Sequence, residues 1–119
     1  LAARVTGLVR LYPYCGLLSH AAEGWPATPA LMVLAERDSI VSTPDCLSMA
    51  YGMRNVGGAI DTFVITGADH GFDQREKSMF SSLVYDPAAL SQAEAQVAGF
   101  LDRLEAPVTT APDAPRTAP

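Results

Sequence analysis

The sequence predicts an α/β fold in which three parallel strands with flanking helices form an incomplete sheet. Three short apolar runs, at 5–12, 30–35 and 60–66, have the length and the β-branched content of buried strands. Helical patterns follow the second and third runs, and strands that alternate with helices are typical of parallel sheets. Because such sheets are covered on both faces and the first strand leaves an open apolar edge, we expect further strands to complete the sheet.

The first strand is predicted at Val5–Tyr12, where apolar residues occupy both faces. Pro13 should end this strand, because proline has no N–H to donate to a ladder. Glycine and proline interrupt the stretch 17–29, which predicts an irregular connection to the second strand, Ala30–Ala35.

A helix should follow the second strand. The sequence Thr43-Pro44-Asp45 combines a hydroxyl N-cap at Thr43, a proline at the first helical position and a carboxylate near the positive helix end. Gly57-Gly58 supplies the stop after about Asn55. The side chains expected to face the sheet are Leu47, Ala50, and either Tyr51 or Met53.

A second helix should follow the third strand after a loop with a helical turn at Gln74–Tyr85. Asp86-Pro87 repeats the combination of cap and proline, and the helix should end near Glu105, before Pro107. Apolar residues recur there at intervals of three and four, which indicates one buried face. That face comprises Leu90, Ala93, Val97, Leu101 and Leu104.

Length and composition indicate one domain and exclude several classes of partner. Of the 119 residues, 1–106 form the expected domain, and 107–119 form an expected disordered tail rich in Pro, Ala and Thr. The net charge of −5 argues against nucleic acid, and no apolar run is long enough to span a membrane. We expect no cofactor, and the oligomeric state stays open. The chain enters a strand directly from Leu1 without a methionine, so we expect it to be part of a longer protein.

Two cysteines, Cys15 and Cys46, are too few for a disulfide scaffold and lack the spacing of a zinc site. Each follows a predicted neighbouring strand, so the two side chains could form a bridge, which would contribute roughly 3 to 4 kcal/mol to stability. A bridge would imply an exported protein. The alternative is a pair of buried thiols that pack as small hydrophobic side chains, which leaves a cytoplasmic location open.

The candidate general base is His70, within Gly67–Asp73. It directly follows the third strand, where glycines let the backbone turn and where enzymes present such a base. Asp38 follows the second strand, so the two side chains should meet at one edge of the sheet. A carboxylate at Nδ1 would orient the imidazole and stabilise the imidazolium. Glu36 and Asp69 are rival carboxylates, but Asp69 should point away from its neighbour, and we favour Asp38.

The order of acid and then histidine fits the second half of a nucleophile–acid–histidine triad, but the nucleophile is missing. Neither Gly-x-Ser-x-Gly nor its cysteine version occurs in the sequence. Cys15 lacks small flanking residues and a following helix, and Ser39 and Ser42 are better interpreted as turn and cap residues. A metal site is disfavoured because a second histidine at helical spacing is absent. Its ligands would be Asp69, His70 and Asp73.

These segments together resemble the C-terminal half of the dienelactone hydrolase family. The likeness covers roughly Val5 to Leu104, and the motif Gly-Ala-x-His-Gly-Phe is fairly specific when an acid precedes it at this distance. The segments that carry the resemblance are Tyr12–Cys15, Pro29–Leu34 with Asp38 and Cys46, and Gly67–Asp73.

The resemblance implies the C-terminal part of an α/β-hydrolase fold and hydrolysis of an ester or lactone by a cysteine or serine nucleophile. Asp38 and His70 match the family's acid and histidine, and the nucleophile and oxyanion donors would lie N-terminal to Leu1. True dienelactone hydrolases bind the substrate carboxylate with arginines, one of them shortly after the histidine. Gln74 occupies that place here, and Arg75 follows as the candidate substrate-binding residue. We therefore expect a small-molecule ester, thioester or lactone rather than dienelactone itself.

Two alternatives stay open. The missing nucleophile and the open first edge allow an α/β piece with a binding or assembly role and no catalytic role. The acid and histidine motifs also allow a related α/β hydrolase, such as a prolyl-peptidase-like domain.

Overall fold

The computed structural model describes residues 4–16, 28–76 and 78–106. Most of the predicted irregular connection and the whole of the predicted tail, 107–119, lie outside the described residues. The elements in chain order are β1 (Leu8–Leu11), β2 (Ala30–Ala35), α1 (Thr43–Asn55), β3 (Ile60–Ile65) and α2 (Pro87–Glu105).

The three strands form an open parallel sheet in the order β1-β2-β3. Leu8 lies opposite Ala30, and Ala30 lies opposite Ile60, so the strands begin at the same level. Every residue of the central strand β2 is buried, which explains its uninterrupted apolar sequence. The predicted α/β fold class is therefore confirmed.

The two helices pack on opposite faces of the sheet. Successive side chains of β2 point to opposite faces, so alternate residues join separate hydrophobic clusters. Ala30, Met32 and Leu34 pack with α1, whereas Leu31, Val33 and Ala35 pack with α2. Among the described residues, no helix combines the length and the apolar character needed to cross a membrane.

Strand β1 is shorter than the predicted Val5–Tyr12. The N–H of Leu8 donates to the carbonyl of Pro29 at 2.9 Å, and Pro29 has no N–H with which to extend the ladder. At the other end, Tyr12 leaves extended geometry with φ 37°, although its N–H still donates to the Val33 carbonyl at 2.8 Å.

The N-cap of helix α1 lies one residue earlier than predicted. Ser42 is the N-cap, and its Oγ accepts a hydrogen bond from the N–H of Asp45 at 3.2 Å. The predicted cap, Thr43, is buried, and its hydroxyl donates to the carbonyl of Ala35 at 2.6 Å. The prediction of Thr43 as the N-cap is thus wrong, because its hydroxyl is hydrogen-bonded to the end of β2 and does not accept from the first turn of the helix.

The sheet-facing side of α1 also differs in part from the prediction. Leu47, which was expected to face the sheet, is 38% exposed, and of the two alternatives Met53 is buried whereas Tyr51 is 67% exposed. The buried residues instead have the spacing i, i+3, i+4, i+7, which a straight helix presents on one face. They are Cys46, Met49, Ala50 and Met53.

The remaining helix signals are confirmed. Gly57 has φ 91°, and the N–H of Gly58 donates to the carbonyl of Met53 at 2.8 Å, which closes the C-terminus of α1. Asp86 caps α2, because its Oδ1 accepts the N–H groups of Ala88 and Ala89 at 3.1 Å each.

The sheet-facing side of α2 is predicted correctly except at Leu101, which is 46% exposed. Phe100 is buried in its place, because a neighbouring helical residue points about 100° away and the face is centred on Phe100. The other predicted residues of this face contact the α2 cluster: Leu90, Ala93, Val97 and Leu104.

Candidate active site

The loops that follow β2 and β3 lie side by side at the carboxyl edge of the sheet. The N–H of Glu36 donates to the Ile65 carbonyl at 3.1 Å, and the N–H of Arg37 donates to the Ala68 carbonyl at 2.8 Å. These backbone hydrogen bonds continue the pairing of the two strands beyond their ends. They bring the loop that carries Asp38 against the loop that carries a histidine.

Glycines shape the histidine loop. Gly67 and Gly71 have φ values of 76° and 77°, in the left-handed region that favours glycine. A Cβ at Gly71 would also come within 2.8 Å of the Leu83 side chain. His70 lies between these turns, and its side chain is 19% exposed.

Asp38 and His70 form a hydrogen-bonded pair, with Oδ2 2.9 Å from Nδ1. The aspartate side chain is 1% exposed. Its other oxygen, Oδ1, accepts the backbone N–H groups of Ile40 and Val41, both at 2.8 Å. Because both carboxylate oxygens have donors, the carboxylate is fixed in orientation. The imidazole then carries its proton on Nδ1, which leaves the Nε2 lone pair for accepting another proton.

The two rival carboxylates bind elsewhere. Glu36 Oε1 accepts the N–H of Gly67 at 2.9 Å. Asp69 Oδ1 accepts the N–H groups of Ser39 and His70, both at 2.7 Å. Of the three acids weighed from the sequence, Asp38 is the one whose carboxylate the structure places on the imidazole.

The pKa of Asp69 is lowered by these contacts. Burial raises the pKa, but hydrogen bonds from the amides of Ser39 and His70 and from the Ser39 hydroxyl favour the ionised form and outweigh burial. Asp69 is therefore ionised where it connects the loop after β2, which carries Asp38, to the loop after β3, which carries His70.

Cys15 and Cys46 form a disulfide, with their Cα atoms 5.0 Å apart. This is one of the two arrangements that the sequence left open. The bridge joins the loop after β1 to the first turn of α1, and both residues are buried in the α1 cluster. It therefore connects two of the segments that border the candidate site.

The structure adds Tyr12 to the site, a residue that we did not select from the sequence. Its ring centroid lies 4.1 Å from that of His70, with the planes at 50°. Its hydroxyl donates to Asp73 Oδ1 at 2.6 Å. Burial, followed by the hydrogen bond to Asp73 and the charge of that carboxylate, raises the pKa of Tyr12 to about 12. The available signal was positional, since Tyr12 directly follows β1 at the same sheet edge at which Asp38 follows β2.

Arg75 lies at the base of the loop between the histidine and α2. Its Nε donates to the hydroxyl of Tyr85 at 3.1 Å, and its guanidinium lies 5.4 Å from the centre of that ring. The N–H of Asp86 donates to the Phe72 carbonyl at 2.9 Å and closes the loop. In the described part of this loop, hydrogen-bonded turns join Gln74 to Gly71 and Ser81 to Ser78. The role of Arg75 in substrate binding stays a prediction.

Comparison with known proteins identifies the family. The sequence model of the dienelactone hydrolase family matches residues 2–104 of the 119. The chain belongs to the dienelactone hydrolase family. The resemblance seen in the sequence is thereby confirmed, and membership in this α/β-hydrolase family supports a hydrolase-like function. The search of curated proteins finds no match.

In this dienelactone hydrolase family member, the described residues offer a proton acceptor without an evident nucleophile. Cys15 is oxidised in the disulfide, and Ser39 donates its hydroxyl to Asp69 at 2.9 Å. Ser42 caps α1. Within 4–16, 28–76 and 78–106, no three His, Cys, Asp or Glu side chains are grouped as metal ligands. The arrangement is suited to acid–base chemistry.

Proposed function

We propose that this chain supplies the acid and the general base of a carboxylic ester or lactone hydrolase. Asp38 is the acid, and His70 is the base. The observation that carries the proposal is the 2.9 Å contact between Asp38 Oδ2 and His70 Nδ1, in which the carboxylate is almost completely buried. Membership of the dienelactone hydrolase family supports the same reaction class.

The pair acts by moving one proton. The Nε2 atom of His70 accepts the proton of a cysteine or serine nucleophile as that group attacks the substrate carbonyl, and then delivers it to the leaving group. In the second half of the reaction, Nε2 accepts a proton from water and returns it to the nucleophile. The Asp38 carboxylate stabilises the imidazolium in both halves, and its burial limits screening by solvent.

The nucleophile and the oxyanion donors come from chain N-terminal to this sequence. Two features of the sheet support this part of the proposal. Within the described residues β1 pairs with β2 alone, and Val9 on this strand is 38% exposed. An apolar groove also lies between β1 and α2, where a further element of the domain would pack. It is lined by Leu11, Leu90, Ala93, Val97 and Leu101.

The substrate is a small-molecule ester, thioester or lactone. Arg75 is the candidate residue for binding an anionic part of the substrate, because it follows His70 closely in the chain. Its hydrogen bond to Tyr85 uses Nε, and among the described residues no hydrogen bond is seen from the terminal guanidinium nitrogens, which can pair with a carboxylate. The reaction requires no cofactor in this scheme.

The decisive test is His70→Gln in the full-length protein, assayed with a simple aryl ester. We expect kcat to fall on the order of 10³-fold or more, because the proton acceptor is lost while the binding contacts stay. The free energy of unfolding, measured by urea titration, shows whether the variant is folded. Wild-type turnover by a folded His70→Gln protein would show that His70 is not the general base, whereas a wild-type protein that hydrolyses no ester would favour a binding or assembly role.

A further inference from the structure

Tyr12 has a backbone conformation that a bulky residue adopts at a cost. Among the described residues it is the one non-glycine with positive φ, at 37°. A proline follows at position 13, which further restricts the backbone of the preceding residue. Such conformations persist where the surroundings hold them, and they cluster at functional sites. Tyr12 is therefore held in place by its contacts.

Three contacts hold the residue. Its N–H donates to the carbonyl of Val33 at 2.8 Å, which anchors the backbone to β2. Its hydroxyl donates to Asp73 at 2.6 Å, which anchors the far end of the side chain. Its ring packs edge-to-face against Phe72 at 5.5 Å, and Phe72 is fully buried. The ring is thus fixed at both ends and along one side.

The fixed ring lies against the imidazole of His70. The centroids are 4.1 Å apart, which is direct contact. A hydrogen bond at Nδ1 alone still lets the imidazole tilt through small changes in χ1 and χ2. A second contact on the ring itself removes this freedom, and it shields part of the imidazole from water. Asp38 and Tyr12 together define where Nε2 points.

We infer that Tyr12 is a positioning residue for His70 and that Asp73 holds it in place. The inference rests on the proposed function for its catalytic consequence. The structural part of the inference is that Tyr12 restricts the orientation of the His70 imidazole, and this can be measured without an activity assay. The hydroxyl and the ring have separable roles: the ring restricts His70, and the hydroxyl bond to Asp73 keeps the ring in position.

Two substitutions separate these roles. Tyr12→Phe removes the bond to Asp73 but keeps the ring, whereas Tyr12→Leu removes the ring. In the full-length protein we expect kcat to fall by about 10²-fold for Tyr12→Leu, the scale expected for a misplaced catalytic group, with KM nearly unchanged. Tyr12→Phe should lower kcat less than Tyr12→Leu does. Asp73→Ala should lower kcat by the same factor as Tyr12→Phe. The double variant Tyr12→Phe/Asp73→Ala should lower kcat no further than either single variant.

The spectroscopic readout is the pair of imidazole ¹⁵N shifts of His70, followed against pH by NMR. Tyr12→Leu should change these shifts and the titration of His70, and Tyr12→Phe should restore most of the wild-type pattern. The matched control is Phe100→Leu, which removes a buried aromatic ring of the α2 cluster that packs beside Gly7, before the start of β1. It should lower stability and leave both kcat and the His70 shifts unchanged.

The outcomes are distinguishable. Unchanged His70 shifts in a folded Tyr12→Leu protein would overturn the inference, whatever its activity. Equal losses of kcat in Tyr12→Leu and Phe100→Leu would also overturn it, because the effect would then follow stability. If His70→Gln is fully active but Tyr12→Leu changes the His70 shifts, the positioning contact stands and the proposed role of His70 as general base fails.

Discussion

Asp69 holds Ser39 by both its backbone amide and its hydroxyl, with distances of 2.7 Å and 2.9 Å to Oδ1. The same oxygen accepts the N–H of His70 at 2.7 Å. One carboxylate therefore ties the loop after β2 to the loop after β3, beside the pair of Asp38 and His70. The candidate acid and base owe their alignment to this carboxylate as well as to their own hydrogen bond.

Replacement of Asp69 by Asn should alter the dependence of stability on pH. The folded-state pKa of Asp69 is lowered, so its contribution is complete above the unfolded carboxyl pKa of about 4 and is lost as the pH falls through the folded value. Urea midpoints at pH 7 and pH 3 should therefore differ less in Asp69→Asn than in the wild type. Ser39→Ala, which removes a donor and keeps the acid, should show part of the same change. Identical pH dependence in wild type and Asp69→Asn would contradict this account.

Asp38→Asn tests the acid separately from the base. The amide can keep the volume of the side chain, but it cannot stabilise the imidazolium, and it favours the wrong tautomer of His70. In the full-length protein we expect kcat to fall by about 10⁴-fold, as in the Ser-His-Asp template. The control is Asp61→Asn, which changes a carboxylate that is 67% exposed on β3 and should keep wild-type turnover. A kcat within a few-fold of wild type for Asp38→Asn would show that the carboxylate has no part in catalysis.

Most of the fold could be predicted from local pattern. The range of β2 is correct because a central parallel strand is apolar on both faces, which a sequence displays directly. The start of α2 is correct because Asp86 and Pro87 form a local signal. The buried faces were harder to predict. Leu101 and Phe100 differ by one position, and the direction from which a helix approaches the sheet decides which of the two is buried.

The site was predictable only where the chain places residues at strand ends. Asp38 and His70 each follow a strand directly, so parallel pairing predicted their proximity. The contact between Tyr12 and Asp73 depends on a positive φ at a tyrosine, which no propensity indicates. Which of the three nearby carboxylates contacts the imidazole likewise depends on loop hydrogen bonds that have no signature in sequence.

The two helix caps should contribute separately to stability. Ser42→Ala and Asp86→Ala each remove a side-chain acceptor from the first turn of a helix, so each should lower the free energy of unfolding by about 1 kcal/mol. Ser48→Ala changes an exposed serine inside α1 and should alter it by less than about 0.5 kcal/mol. Thr43→Ser, which keeps the hydroxyl that donates to Ala35, should lower the free energy of unfolding less than Thr43→Val does. Urea titration measures all five variants, and equal values for Ser42→Ala and Ser48→Ala would argue against the assigned cap.

The disulfide should be the largest single covalent contribution to stability in the described chain. Cys15 and Cys46 are 31 residues apart, so the bridge restricts a sizeable loop of the unfolded chain. Replacement of both by alanine should lower the free energy of unfolding by roughly 3 to 4 kcal/mol on the chain-entropy model, with a further loss from the deleted sulfur atoms.

Reduction of the wild type separates these two effects, because it breaks the bridge and keeps the sulfur atoms. The reduced protein should therefore lie between the oxidised protein and Cys15→Ala/Cys46→Ala in a urea titration. The bridge also joins the segment after Tyr12 to the helix that follows Asp38, so reduction should broaden the imidazole signals of His70 before the protein unfolds. Two thiols that react with a thiol reagent in urea without any reductant would show that the bridge is absent. The loop after β1 would then be held by Tyr12 and its partners alone.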